Sequence, residues 1–189
     1  MAHPRLSISS LSSFRWSFDE DLALWRALGV RWAGTVLNKL EPDVDANLAR
    51  MSDAGIGIST VIGPGFDLRA PDGWNAAREG LAALLDSVAA QRGRSVYIVT
   101  GRTTGAPWGE VLEIFAEAVA PCVAHAQAVG VRLAFEPSLR TDVSFVNTVR
   151  DAIDVAERTA LGIVVDFGNC WMERDFREVM ARAAPHIAL

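Results

Sequence analysis

The sequence predicts an α/β fold made of repeated strand–helix units, a (β/α)8 barrel of which this chain carries about six units. Three observations predict it. Short apolar, β-branched runs alternate strictly with stretches of helical periodicity along the 189 residues. Strict βαβα order implies a parallel sheet with right-handed crossovers. Glycines at 29, 55 and 130 close three helical stretches just before the next strand begins. Finally, two strand runs end in a carboxylate at matching positions, Glu136 and Asp166. The competing architecture is a doubly wound sheet. Its phosphate fingerprint is missing, because the first strand leads into Ser9-Ser10-Leu11-Ser12-Ser13, with neither G-x-G-x-x-G nor a Walker pattern.

The elements follow in order. Residues 6–9 are the first strand. Ser17 and Glu20 form a capping-box pattern ahead of Phe18, Leu22 and Trp25 at helical spacing, and Gly29 ends that helix. Residues 30–37 form the second strand; Val44, Leu48 and Met51 mark the second helix, ending at Gly55. Residues 56–62 are a β-branched strand broken by Gly63-Pro64-Gly65. Asp72 can cap the third helix, whose apolar line is Ala77, Leu81, Leu84 and Val88. Residues 95–100 are the fourth strand. The fourth helix carries Leu112, Phe115, Val119, Cys122 and Val129, with Pro121 as an expected kink, and stops at Gly130. The Glu136 strand follows, then a helix marked by Val146, Val149 and Ile153, then the Asp166 strand. A helix with Phe176, Val179 and Met180 comes next, and residues 186–189 read as the start of another strand.

A closed barrel typically needs ~250 residues, so the reading is a single barrel domain over residues 1–189 whose C-terminal two units lie outside this sequence. Open sheet edges then predict association through those edges or a homo-oligomer. A hydrophobic content of 50% supports a sizeable core. The net charge of −5 argues against a broad phosphate-backbone surface and hence against a nucleic-acid partner. The start Met1-Ala2-His3-Pro4-Arg5 lacks the apolar core of a signal peptide, and no segment reads as a membrane span, so the expected location is cytoplasmic and the expected partner a small-molecule substrate. Cys122 and Cys170 are too few for a disulfide framework.

The chemistry concentrates at the two carboxylates. In Val131-Arg132-Leu133-Ala134-Phe135-Glu136, alternation puts Arg132, Ala134 and Glu136 on one face and Val131, Leu133 and Phe135 on the other. In Gly162-Ile163-Val164-Val165-Asp166, Gly162, Val164 and Asp166 share a face. The bulky faces suit packing against helices; the small-residue faces then point into the barrel. Neighbouring strands lie roughly 4.8 Å apart, so both carboxylates can reach one divalent cation, which would relieve their repulsion. The alternative for each acid is a helix cap or a pair with a nearby Arg.

These residues carry a resemblance. The stretches Pro121-Cys122-Val123-Ala124-His125-Ala126, Gly130 to Pro137, Phe145-Val146-Asn147-Thr148 with Asp151-Ala152, and Val165-Asp166-Phe167-Gly168-Asn169 resemble the xylose-isomerase-like TIM barrels, a group of sugar isomerases and epimerases that includes endonuclease IV. The resemblance implies that Glu136 and Asp166 are ligands of a divalent metal, with Glu136 also an acid/base at the carbon next to a carbonyl. It implies a further His or Gln after a seventh strand and a Glu after an eighth, both beyond Leu189. Asn169 stands where many relatives carry His. Asn can hydrogen-bond a hydroxyl or a metal-bound water but is no base at neutral pH, which weighs against an endonuclease-like multi-metal site.

Other strand-end residues are candidates for substrate binding. Arg140 and Arg102 can bind a hydroxyl, carboxylate or phosphate, or be ordinary surface arginines. Trp108 and Phe66, read as loop residues, can stack on a sugar or serve local packing. Lys39 follows the second strand and is either a ligand or an exposed surface lysine. His186 opens a strand at the stability end of a barrel, His125 lies in a helix and His3 in a tail, so no good His ligand exists. An oxygen-rich site favours Mg²⁺ or Mn²⁺ over Zn²⁺ or Co²⁺. The leading reading is a metal-dependent isomerase or epimerase for a small polyhydroxylated carbonyl compound. A dehydratase on the same scaffold, an endonuclease IV-like repair protein and a non-catalytic barrel fragment needing a partner chain are the alternatives.

Overall fold

Six parallel strands pair in the order in which the chain makes them. The structure is a computed structural model describing residue 3 and residues 6–189. Strand β1 (Ser7–Ser9) pairs with β2 (Trp32–Val36), and β2 with β3 (Gly57–Ile62). Then β3 pairs with β4 (Ser95–Val99), β4 with β5 (Arg132–Glu136), and β5 with β6 (Gly162–Ile163). A doubly wound sheet would reverse its strand order at a switch point; this one does not, and consecutive order is the order of a barrel. Past β6, Ala188 N–H donates to Ile163 O (2.8 Å) and Val165 N–H to Leu189 O (2.9 Å), so residues 187–189 begin a further parallel pairing, while His186 does not open it but ends the 3₁₀ turn Ala184–His186.

The helices are α1 (Phe18–Leu28), α2 (Leu37–Leu40), α3 (Val44–Asp53), α4 (Trp74–Ala90), α5 (Trp108–Val129), α6 (Val149–Thr159), α7 (Phe167–Cys170) and α8 (Phe176–Ala183). Both halves of the α1 capping box form: Ser17 Oγ accepts from Glu20 N–H, and the Glu20 carboxylate accepts from Ser17 N–H at 2.8 Å. Gly29 closes α1 at φ 62°, a left-handed conformation that a Cβ would penalise.

Three local expectations change. The one-turn helix α2, directly after β2, had no periodic signal to announce it. Asp72 does not cap α4; it lies in the 3₁₀ turn Pro71–Gly73, and Gly73 occupies the cap with no side-chain bond. Helix α6 starts at Val149, capped by Thr148 accepting from Asp151 N–H, so Val146 is a buried residue of the preceding loop. Pro121 sits inside α5, which runs on past it.

The two faces of the sheet separate as alternation requires. Ile58, Val61, Val96, Ile98, Leu133, Phe135 and Ile163 join the core under the helices. Phe135 meets Phe115 of α5 edge to face at 6.4 Å. Burying a side chain of this size contributes about 1.5–3 kcal/mol, and Phe135→Ala would remove that contact and leave a cavity. Helix α5, at 22 residues, is long and apolar enough to cross a membrane, contrary to the expectation from sequence; its apolar residues Val111, Phe115, Val119 and Cys122 are instead buried in this core.

The opposite, inner face is layered. Ser7, Trp32, Ser95 and Arg132 open their strands, and Ser59 lies further along β3 past Gly57. Tyr97, Ala134 and Val164, with Ile62 and Ala188, form a small apolar middle layer. Glu136 and Asp166 follow at the C-terminal ends.

Candidate active site at the C-terminal ends of the strands

Glu136 is the last residue of β5 and registers opposite Val99 of β4. Asp166 lies just past β6, where it becomes the N-cap of α7: its Oδ1 accepts from Gly168 N–H at 2.7 Å. The helix-cap reading of Asp166 therefore holds, and it does not compete with a site. Its other oxygen, Oδ2, accepts from Asn169 Nδ2 at 3.1 Å. The same amide nitrogen lies 3.4 Å from Glu136 Oε1, and Asn169 Oδ1 accepts from Leu139 N–H at 3.3 Å. One side chain thus ties both carboxylates to the loop after β5. Asn169 orients the acids without adding a charge.

Glu136 is half-buried and Asp166 exposed. Burial, then the Asp166 carboxylate within hydrogen-bonding reach, push the Glu136 carboxyl up to about 7. Neither acid forms an ion pair among the described residues. Beneath them Tyr97 is buried in the middle layer, its phenol held neutral by burial and by both carboxylates. Tyr97 was missed in the sequence; the alternation Ser95, Tyr97, Val99 marks it as an inner-face residue. Among the described residues no group of three or more His, Cys, Asp or Glu that could hold a metal gathers; Glu136 and Asp166 stand as a pair of carboxylates.

The loop after β5 is firmly held. Ser144 Oγ and Thr100 Oγ1 are hydrogen-bonded at 2.9 Å, Gly101 N–H donates to Val143 O, and Asn147 Nδ2 donates to Ser138 O at 2.6 Å. Arg140 rides this loop, exposed and paired with Asp142 at 2.6 Å. Arg102 is exposed beside Asp142, Gly65 and Phe66, around a separate cleft.

Three candidates sit otherwise than the sequence suggests. Phe66 is buried in the core at 3% exposure, so its ring is committed to packing. Trp108 is the first residue of α5, not a loop residue, and meets Phe145 edge to face at 6.3 Å. Lys39 is no surface lysine. Its Nζ lies 2.6 Å from Asp21 Oδ2, 2.8 Å from Ser13 O and 3.2 Å from Ser10 O, with its side chain 7% exposed and that of Asp21 fully buried. All three ammonium protons are used in tying α2 to α1 and the turn after β1. The spacing of Asp21 and Lys39 in sequence gives no sign of this pair. His125, as expected, is structural, bonded to Asp86 at 2.7 Å.

A family model described as "Xylose isomerase-like TIM barrel" matches residues 22–189. No curated protein matches the chain. Among solved structures, protein SMc04130 from Sinorhizobium meliloti 1021 is similar at 22% identity and TM-score 0.84, over 97% of this chain and 70% of that one. An L-ribulose 3-epimerase is similar at 23% identity and TM-score 0.76, over 98% of this chain and 68% of that one. The IOLI protein with a bound zinc atom is similar at 17% identity and TM-score 0.80, over 96% and 69%. Structures of an AP endonuclease of family 2 and of a probable dehydratase share the same fold. At these identities the likeness establishes fold, not reaction.

Proposed function

Because the chain belongs to the xylose-isomerase-like TIM barrel family, we propose that it provides the acidic half of a metal-dependent isomerase or epimerase site for a small polyhydroxylated carbonyl compound. The observation that carries this is the pair Glu136 and Asp166, side by side, without a cationic partner among the described residues, and cross-linked by Asn169. Two hard carboxylate oxygens with mutual repulsion fit a divalent cation, Mg²⁺ or Mn²⁺ by donor chemistry; the zinc in the IOLI structure supports a metal on this fold.

A cation held by Glu136 and Asp166 would polarise the carbonyl and neighbouring hydroxyl oxygens of a substrate. Glu136 would take the proton from the carbon next to the carbonyl and, for isomerisation, return it to the neighbouring carbon on the same face; epimerisation needs a second acid on the other face, the role that suits the Glu the resemblance implies after an eighth strand. In the metal-free chain burial and Asp166 raise its carboxyl to about 7, so it carries a proton near neutral pH until a cation displaces it. Asn169 keeps the two acids in register, and Asp166 is fixed further by its cap on α7. Neutral Tyr97 closes the floor without adding charge. The test is solvent exchange: a panel of ketoses incubated with the protein and Mn²⁺ in D₂O should gain deuterium next to the carbonyl, and Glu136→Gln should abolish it. Loss of a hydroxyl as water in the same assay would favour the dehydratase reading. An endonuclease reading is disfavoured by the net charge of −5 and by Asn169.

A further inference from the structure

At the opposite mouth of the barrel interior, Arg94 and Arg132 converge on one cavity of about 210 Å³, together with Ser7, Ser59, Ser95 and Trp32. Arg132 opens β5 and pairs in register with Ser95, and its N–H donates to Arg94 O, so the two arginines start adjacent strands. Neither forms an ion pair among the described residues, and Ala188 and Leu189 complete the lining, which holds no Asp or Glu side chain. Each guanidinium is held in place by the chain. The Arg94 guanidinium lies over the Trp32 ring, its central carbon 3.5 Å from the centroid. Trp32 in turn lies against Gly57, where an added Cβ would come 2.5 Å from the ring. Arg132 Nη2 donates to His186 O at 3.1 Å. The hydroxyls are ordered too, with Ser7 Oγ 2.7 Å from Ser59 Oγ and Ser95 Oγ donating to Ser59 O.

We propose that this N-terminal mouth binds a small tetrahedral oxyanion, with inorganic phosphate as its simplest form, between the guanidinium groups of Arg94 and Arg132. The stack Gly57–Trp32–Arg94 presents one planar fork, whose free N–H groups match oxyanion geometry, and Arg132 supplies the second. The cavity is smaller than the ~300 Å³ at which pockets for larger small molecules begin, which suits a free anion. The apolar layer of Tyr97, Ala134 and Val164 separates it from the acids, so it is a site of its own and does not depend on the metal reading.

The test is calorimetric titration of EDTA-treated protein with phosphate, against sodium chloride of equal ionic strength. One-to-one saturable binding is expected, weakened at least about tenfold by Arg94→Gln and by Arg132→Gln, since each loses a charge-assisted bond. Both arginines are exposed, so these variants keep the fold, which circular dichroism verifies. Trp32→Leu, which keeps both charges but removes the stack, should weaken binding by a smaller factor. Absence of saturable binding in the native chain, or equal affinity in the double variant, would overturn the proposal.

Discussion

The two ends of the barrel interior are opposites in charge. At the C-terminal end Glu136 and Asp166 sit together, joined by an amide; at the N-terminal end Arg94 and Arg132 line one cavity with an indole and hydroxyls. In between lies an apolar layer that keeps the acids and the arginines from neutralising each other. The third charged cluster, Lys39 with Asp21, is balanced and fully hydrogen-bonded. The contrast teaches how to separate a structural charge from a functional one. A buried charge that meets its complement within the chain holds the fold. Like charges gathered without a complement are a standing cost that a ligand of opposite sign can offset.

Substitutions at the three clusters should therefore differ in sign. Lys39→Met should have the largest effect, because it strands the Asp21 carboxylate without its cation; removal of one partner of a buried pair costs about 3–5 kcal/mol. The readout is the urea midpoint, and a loss below about 1 kcal/mol would show that the balanced pair is not what ties α1 to α2. Gly57→Ala should follow, since its Cβ would lie 2.5 Å from the Trp32 ring; overpacking of this kind costs about 1–3 kcal/mol. Glu136→Gln in metal-free protein should be neutral or stabilising, as it removes one of two repelling charges.

That last variant also carries a pH signature. The Glu136 carboxyl is raised from an ordinary 4.5 to about 7, by burial first and Asp166 second. Between those values the folded chain holds a proton that the unfolded chain has lost, so the contribution of Glu136 to stability is full below about 4.5 and declines as pH rises toward 7. The difference in unfolding free energy between native and Glu136→Gln protein should shift in that window, to the disadvantage of the native chain at the higher pH. A flat difference from pH 4 to 8 would contradict it.

The inner face was readable in the sequence because alternation is a strong constraint. Glu136, Ala134 and Arg132 fall where the period of two puts them, and Phe135 meets α5 on the other side. Asn169 was readable as a site neighbour from its distance to Asp166, though its bridging role was not. What failed was long-range pairing. Nothing in the local pattern around Lys39 reveals Asp21, and Phe66 follows a Gly-Pro-Gly break that reads as an exposed loop while its ring turns into the core. The stack of Arg94 on Trp32 joins two strands that are not neighbours, so no single run announces it.

The smallest effect concerns association. We propose that the 189-residue chain self-associates through β1, which pairs on one side only among the described residues, and through the last pairing at Ile187. Size-exclusion chromatography with light scattering should show species above the 20.4 kDa monomer; a monomer with a cooperative melt would end that proposal.

The central claim is that unbalanced acids at the C-terminal end make a cation site, and direct titration with Mn²⁺, followed by the loss of its free electron-paramagnetic signal, tests it most closely. The native chain should bind one Mn²⁺, and Asp166→Asn should weaken binding strongly while its Asn still caps α7. Glu136→Gln should do the same. Equal Mn²⁺ affinity in native protein and both variants would contradict the account.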